Sequence, residues 1–132
     1  MADVTLVEAT RACDAAIARA EDLGIKIAVS VVDSGTNLVA IHKMDRTLML
    51  AIEGSRGKAV ASVIFGQPSG ELEVRADRPV MRALSIQMGG RFIMGQGAVP
   101  ILRDGEVIGA CGVGGGSSKE DEQCARAGAE AI

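Results

Sequence analysis

The sequence contains no tryptophan or tyrosine and only two phenylalanines, so large aromatic anchors cannot dominate its core. Hydrophobic residues nevertheless make up 48% of the 132 residues, which favours a folded chain over a disordered one. A core of this composition must be built from small and β-branched side chains, which pack closely. The length predicts one domain, residues 1–132, because domains usually contain roughly 100–200 residues.

Long apolar runs and an excess of basic residues are also missing. No stretch of about 18 uncharged apolar residues occurs, and no basic segment followed by an apolar run opens the chain, so neither a membrane span nor a secretory signal is predicted. The net charge of −3 argues against nucleic-acid binding, which relies on clustered Lys and Arg. Three widely spaced cysteines, Cys13, Cys111 and Cys124, favour reduced and buried thiols in the cytoplasm over a disulfide framework.

Histidine is represented by His42 alone, which removes several kinds of site. No cluster of residues has zinc-ligand spacing, and the carboxylates do not follow the spacing of a calcium loop. A Ser-His-Asp or Cys-His arrangement would have to use His42, and no serine or cysteine carries a recognised nucleophile signature. The sequence therefore predicts neither these metal centres nor a hydrolase of these types.

The first half of the chain predicts a helix, a β-hairpin and a second helix. Thr5 and Glu8 form a capping box, and Gly24 suits the end of the first helix. The predicted apolar face of this helix is Leu6, Ala9, Cys13, Ala16, Ala20 and Leu23. Strands over 25–32 and about 38–43 flank a loop of turn-forming residues, which is typical of an antiparallel hairpin.

The second helix is predicted over 47 to about 65 and has two neighbouring rows of side chains. One row is apolar and consists of Leu48, Ile52, Ala59 and Val63. The other is small and polar and consists of Ala51, Ser55, Lys58 and Ser62. Gly54 and Gly57 interrupt the helix, at a cost of about 1 kcal/mol each relative to Ala. We interpret them as signs of close packing, a kink or a nearby ligand.

The second half predicts short helical pieces, another hairpin and a last helix. Pro and Gly punctuate 66–90, which favours short helices there. Strands over 98–102 and 106–113 flank an Asp-Gly turn, with Pro100 favouring an edge strand or a bulge. Ser117 and Glu120 form a second capping box. This order predicts an α/β domain of the α+β kind, with a central antiparallel sheet flanked by helices.

Several motifs in this order resemble the GlcG/HbpS family, which includes the C-terminal domain of PduO-type proteins. The matching motifs are Val29–Gly35, His42–Asp45, Lys58-Ala59, Val99–Ile101, Ile108–Gly115 and the acidic Glu120–Glu122. The resemblance covers essentially the whole chain. It implies a profilin-like α-β-α sandwich that assembles into dimers and often larger homo-oligomers.

The resemblance also implies a small-molecule partner, since some members bind haem while others are encoded among catabolic genes. A haem-binding relative is expected to offer a histidine on or near the first helix, and this helix has none. Secreted relatives carry a signal peptide, which is also absent. Both departures argue against haem. If haem is the cofactor, His42 is the candidate axial ligand, with Met44 or Met49 as the second. The alternative is a histidine at the end of a strand, hydrogen-bonded to backbone or solvent, with methionines that fill gaps in the packing.

A glycine-rich segment before the last helix is a candidate anion site. Gly114, Gly115, Gly116 and Ser117 lead into a helix N-terminus, where backbone N–H groups and the helix dipole suit a carboxylate. The segment fails both the dinucleotide and the P-loop patterns. A simple strand-to-helix turn explains it equally well.

Charged residues near the two helices supply further candidates. A partly buried Lys58 would pair with an anion, or act as a general base if desolvation lowers its pKa; a salt-bridged or snorkelling lysine is the alternative. Arg46 would either hold a carboxylate bidentately or lie on the surface. Asp33 and Asp45 are candidate acid/base partners, although turn capping explains Asp33 as well.

Three functions fit these residues. The leading hypothesis is an oligomeric binding protein that holds a small anionic ligand, or haem, near Lys58, Arg46 and the glycine segment. The competing hypothesis is an isomerase or lyase acting on a small carboxylate in a catabolic pathway, with Lys58 and Asp45 moving a proton. The third is a structural assembly protein, because small-residue faces and a mean hydropathy of +0.25 suit buried subunit contacts.

Overall fold

Four antiparallel strands form one sheet with helices on both faces. The computed structural model describes residues 3–132. The helices are α1 (Leu6–Leu23), α2 (Leu50–Phe65), α3 (Pro79–Gln87) and α4 (Ser118–Glu130). The strands are β1 (Ala28–Asp33), β2 (Leu38–Lys43), β3 (Ala98–Arg103) and β4 (Glu106–Gly114). A 3-10 helix, Ser69–Arg75, lies between α2 and α3. The predicted α+β sandwich is confirmed.

The strand order is β2-β1-β4-β3, so the two predicted hairpins join through their inner strands. β1 pairs with β4 from Ala28 opposite Gly114 to Asp33 opposite Gly109. Pro100 lies on the edge strand β3, as predicted, where a missing N–H costs the sheet no hydrogen bond on its open side. Among residues 3–132, no helix is both long and apolar enough to cross a membrane.

The core is divided between the two faces of the sheet. Val29 and Val31 belong to a cluster shared with α1 and α4, whereas Val32 belongs to a cluster shared with α2. Successive residues of a strand point to opposite faces, and this alternation assigns the residues of β1 to the two layers. The buried α1 residues are small, namely Ala9, Ala12, Cys13, Ala16 and Ala20. Small side chains allow the helices to approach the sheet closely.

The capped ends of α1 and α4 follow the sequence prediction, whereas α2 begins at Leu50, three residues after the predicted start, and the apolar face of α1 contains one error. Both capping boxes are present, and Gly24 ends α1 in the left-handed conformation at φ 70°. Leu6, however, is 63% exposed. It lies in the first turn, directly after the cap Thr5, where the helix has only begun to cross the sheet.

The small polar row of α2 is buried, and of the apolar row only Ala59 is fully buried, while Ile52 and Val63 are half-buried. Ser55 is fully buried, whereas Leu48 precedes the helix and is 69% exposed. The Ser55 and Ser30 hydroxyls are hydrogen-bonded at 2.7 Å, which satisfies both in the interior. A Cβ on Gly112 of β4 would collide with the Ser55 carbonyl oxygen. The helix therefore lies too close to the sheet for larger side chains.

Candidate functional site

A buried ion pair links the two faces of the sheet. Lys58 Nζ on α2 lies 3.3 Å from Asp121 Oδ2 on α4, and the two side chains are 11% and 5% exposed. Lys58 Nζ also donates to the Gln96 carbonyl oxygen at 3.4 Å. A Cβ on Gly97 would collide with Nζ. The ammonium thus reaches α4 through a gap that exists because residue 97 has no side chain.

Asp121 also holds the glycine segment in place. Its Oδ1 accepts a hydrogen bond from the Gly116 N–H at 2.8 Å. Burial raises the pKa of the Asp121 carboxyl, and this effect outweighs the opposite influence of Lys58 and the Gly116 N–H. The sequence predicted an anionic ligand near Lys58 and the glycine segment, and in the structure the carboxyl group of Asp121 contacts both.

Two N–H donors of the glycine segment before α4, those of Gly116 and Ser117, are engaged within the chain. The Ser117 N–H donates to Glu120 Oε1 at 3.0 Å, and Ser117 Oγ accepts from the Glu120 N–H at 3.3 Å. A Cβ on Gly114 would lie 2.9 Å from the Ala51 carbonyl oxygen. An external anion here would compete with the carboxylates of Glu120 and Asp121.

The structure does not bring Asp45 or Arg46 into contact with Lys58. Both are exposed in the turn after β2, where Arg46 has φ 65°. Neither side chain forms a hydrogen bond or ion pair with any residue in 3–132. Asp33 instead caps its own turn, since its Oδ1 accepts from the N–H groups of Gly35 and Asn37.

His42 lies half-buried on the edge strand β2. It is opposite Val29 in the ladder, which places it on the face of the sheet that carries α1. Within the described chain its ring has no hydrogen-bond partner. Of the two predicted companions, Met44 Sδ accepts from the Ile27 N–H at 3.4 Å, while Met49 is 79% exposed.

The three cysteines are buried and free, as predicted. Burial raises the pKa of Cys13 to about 12 and that of Cys124 to about 11. Desolvation also raises the pKa of Cys111. Thiols that keep their protons are poor nucleophiles, so these residues act as small core side chains.

A cleft on the α2 face, which we name the arginine cleft, was not predicted. It has a volume of about 520 Å³ and lies between the β1–β2 loop, α2 and the segment 89–93. Its charged residues are Arg56, Arg91 and Glu53, and its apolar residues include Leu38, Val60 and Ile93. Arg91 Nη2 donates to Thr36 Oγ1 at 2.9 Å.

Sequence reasoning missed Asp121, Arg56 and Arg91 for a common reason. Each gains its role from a distant part of the chain: 63 positions separate Lys58 from Asp121, 55 separate Thr36 from Arg91, and Arg56 shares the cleft with the segment 89–93. Spacing rules register neighbours on one helix or strand, and they do not report such contacts. The acidic start of α4 was noticed only as part of a motif.

Comparison with known proteins gives a consistent picture. Residues 4–130 match a family model described as "Haem degrading protein HbpS-like". A 15.0 kDa protein in the dhaT-dhaS intergenic region of Citrobacter freundii is 29% identical over 123 residues, which cover 92% of this chain and 86% of that protein. Corrinoid adenosyltransferase PduO of Citrobacter freundii is 28% identical over 120 residues, covering 89% of this chain and 36% of PduO. The chain therefore spans about a third of that relative.

Two solved structures resemble the chain over nearly its full length. PduOC, in a complex with haem, has a TM-score of 0.88 and 26% identity, covering 99% of this chain and 96% of that one. HbpS has a TM-score of 0.88 and 29% identity, covering 100% and 92% of the respective chains.

Proposed function

The chain belongs to the HbpS-like family, as its motifs predicted, and we propose that it is a small-ligand-binding protein for which haem is the first ligand to test. The observation that carries this proposal is the likeness, over nearly the whole chain, to a protein solved as a haem complex. The shared fold supports a similar use of the scaffold, but it does not identify the residues that hold a ligand.

The side chains of this protein offer one suitable haem ligand. Haem iron takes an axial ligand such as a neutral imidazole, and the ring of His42 is half-buried without a partner in residues 3–132. Of the two candidate second ligands, Met44 is engaged with the Ile27 N–H and the exposed Met49 is not. Haem would bring redox-active iron, and His42 would hold and orient it.

Titration with haemin tests this proposal. We expect a saturable shift of the Soret band that is lost in His42→Ala and kept in Lys43→Ala, a control at the adjacent exposed position. A saturable shift that survives in His42→Ala would contradict the role of His42. No saturable shift in the wild type would contradict haem as the ligand.

We further propose that the protein is a homo-oligomer in which a second copy covers α3. No residue of α3 is buried, and Val80 and Ile86 are 57% and 80% exposed. A nine-residue helix is marginal in water without tertiary packing, so an apolar surface from another copy would stabilise it. Light scattering should show an oligomer that Ile86→Glu dissociates and Leu6→Glu, on the exposed start of α1, does not. A monomeric wild type would contradict this.

We also propose that residues 1–132 form a single domain and that the protein is located in the cytoplasm. The three free thiols support a reducing compartment, because secreted proteins usually pair their cysteines. Fractionation of cells that express the full chain would test the location, and protein found in the culture medium would contradict it.

An enzyme of the proton-transfer type is the second candidate function. The observation that favours it is the buried Lys58–Asp121 pair, in which burial raises the pKa of the acid. In this alternative Lys58 moves the proton of a small carboxylate, and Asp121 replaces the exposed Asp45 as its partner. Exchange of the substrate α-proton in D₂O, followed by NMR, should be abolished in the double variant Lys58→Met/Asp121→Asn, which avoids an unpaired buried charge. Unchanged exchange would exclude the pair.

A further inference from the structure

We propose that the arginine cleft binds a small organic dicarboxylate. This inference rests on the proposed ligand-binding function and adds the class of ligand and its place. It moves the anion predicted from the sequence away from Lys58 and the glycine segment, where Asp121 and Glu120 already satisfy the positive groups.

Both guanidinium groups of the cleft lack a carboxylate partner within residues 3–132. Glu53 and Arg56 are three positions apart on α2, a spacing that commonly permits an ion pair. No carboxylate oxygen of the described chain lies within 4.0 Å of either Arg56 or Arg91. Guanidinium groups bind carboxylates bidentately, so two of them in one cleft suit a ligand with two carboxylates.

Arg91 is held in the cleft by a residue with unfavourable backbone geometry. Thr36 has φ 65°, in the left-handed region that β-branched residues avoid. Asparagine, the type of residue at the next position, Asn37, adopts the left-handed conformation at a lower energetic cost than threonine does. The hydroxyl at position 36 accepts the hydrogen bond from Arg91 Nη2. Strained residues of this kind cluster at binding sites, where the strain serves to position a group.

The rest of the cleft sets the size and charge of the ligand. A volume of about 520 Å³ lies within the range of roughly 300–1,000 Å³ that is usual for small-molecule sites. Leu38 and Ile93, 38% and 41% exposed, offer apolar surface to the carbon skeleton of a ligand. Glu53 adds a negative charge on the same wall, which disfavours ligands with more than two carboxylates.

The segment opposite α2 is hydrogen-bonded to that helix, so the backbone positions of Arg56 and Arg91 are fixed relative to each other. The Ile93 N–H donates to the Gly57 carbonyl oxygen at 3.0 Å. A Cβ on Gly57 would lie 2.6 Å from the Ile93 side chain, which shows how closely the segment approaches. A fixed backbone beneath both arginines, with Arg91 also hydrogen-bonded to Thr36, reduces the entropy that is lost when a ligand binds.

Paired carboxylates have two sources, a free dicarboxylate and the propionates of a porphyrin. The cleft lies on the α2 face, whereas His42 is on the α1 face. One chain therefore cannot hold the same haem through His42 and both arginines. This separation allows the two ligands to be tested independently.

Calorimetric titration with succinate tests the inference. We expect saturable binding that is weakened about tenfold or more by Arg56→Gln and by Arg91→Gln, since hydrogen bonds to charged groups are worth that much. Each variant should bind succinate about as weakly as the wild type binds butyrate, which has one carboxylate. Glu53→Gln should bind succinate more tightly because a repelling charge is removed. Arg11→Gln, which removes an exposed arginine of α1 on the other face, should leave affinity unchanged.

Absence of saturable succinate binding, or equal weakening by Arg11→Gln, would overturn the inference. Haemin titrated into the same variants then judges the proposed function separately. Haemin binding that depends on His42 but not on Arg56 or Arg91 would leave the cleft to a free dicarboxylate. Haemin that displaces succinate and is weakened by both arginine variants would identify porphyrin propionates as the source.

Discussion

Replacement of Gly97 by alanine should destabilise the protein by breaking the buried Lys58–Asp121 pair. The backbone at Gly97 has φ 145°, and a Cβ would collide with Lys58 Nζ and lie 2.8 Å from the Val113 carbonyl oxygen. The ammonium would have to leave its gap. Asp121, with a side chain 5% exposed, would then lose its partner.

The size of the effect follows from the buried pair. Breaking such a pair by displacing one partner costs about 3–5 kcal/mol, because an unpaired charge stays buried. For a chain of this length, 1 kcal/mol corresponds to a change in Tm of about 3–5 °C. We therefore expect Gly97→Ala to lower Tm by about 10–20 °C. Gly105→Ala provides the matched control, since Gly105 also has positive φ, at 80°, but a Cβ there meets nothing within 4 Å.

A double-mutant cycle isolates the contribution of Lys58. In the background Lys58→Met/Asp121→Asn, the charged group that collides is gone, so Gly97→Ala should cost less by about 1–3 kcal/mol. Urea unfolding of the four proteins, followed by circular dichroism, measures the free energies. Equal costs of Gly97→Ala in the two backgrounds would refute the reasoning, because the cost would then not come from displacement of the Lys58 ammonium.

Three further predictions concern glycine, pH and thiol chemistry. Gly54→Ala should raise the free energy of unfolding by about 1 kcal/mol, because Gly54 lies inside α2 and a Cβ there meets nothing within 4 Å. A lower Tm would contradict this. Folding raises the pKa of Asp121 above its ordinary value of 3.8, so ionisation of this group lowers stability as the pH rises through that raised pKa. Relative to Asp121→Asn, urea unfolding of the wild type should show a smaller gain in stability between about pH 4 and pH 6; a larger gain would mean that Lys58 dominates. Cys13 and Cys124, with pKa raised to about 12 and about 11, should react with a thiol reagent at pH 8 only after unfolding, and rapid reaction of the native protein would show that they are accessible.

Local signals predicted most of the fold. The capping boxes at Thr5 and Ser117 and the Asp-Gly turn depend on residues within a few positions, and all are present in the structure. Periodicity did not indicate that the small polar row of α2 is buried, because Ser55 is buried through the close approach of Gly112 on another strand. Hydrophobic periodicity favours the larger apolar residues and does not register a helix packed through small polar ones.

The candidate site was harder to predict than the fold. Lys58 was singled out correctly as a partly buried ammonium, one alternative being a salt bridge, but its partner Asp121 lies 63 positions away. The arginine cleft combines three chain segments, and Arg56 carries no local motif. Such sites form only when the topology brings distant segments together, which a single sequence does not report.

The central claim is that this protein binds a small ligand, with haem as the first candidate. The most direct test is a spectroscopic titration of the wild-type protein with haemin. The account predicts a saturable Soret shift with about one haemin per site and a higher Tm as haemin occupies the folded protein. A shift that grows linearly without saturation, together with an unchanged Tm, would contradict haem binding.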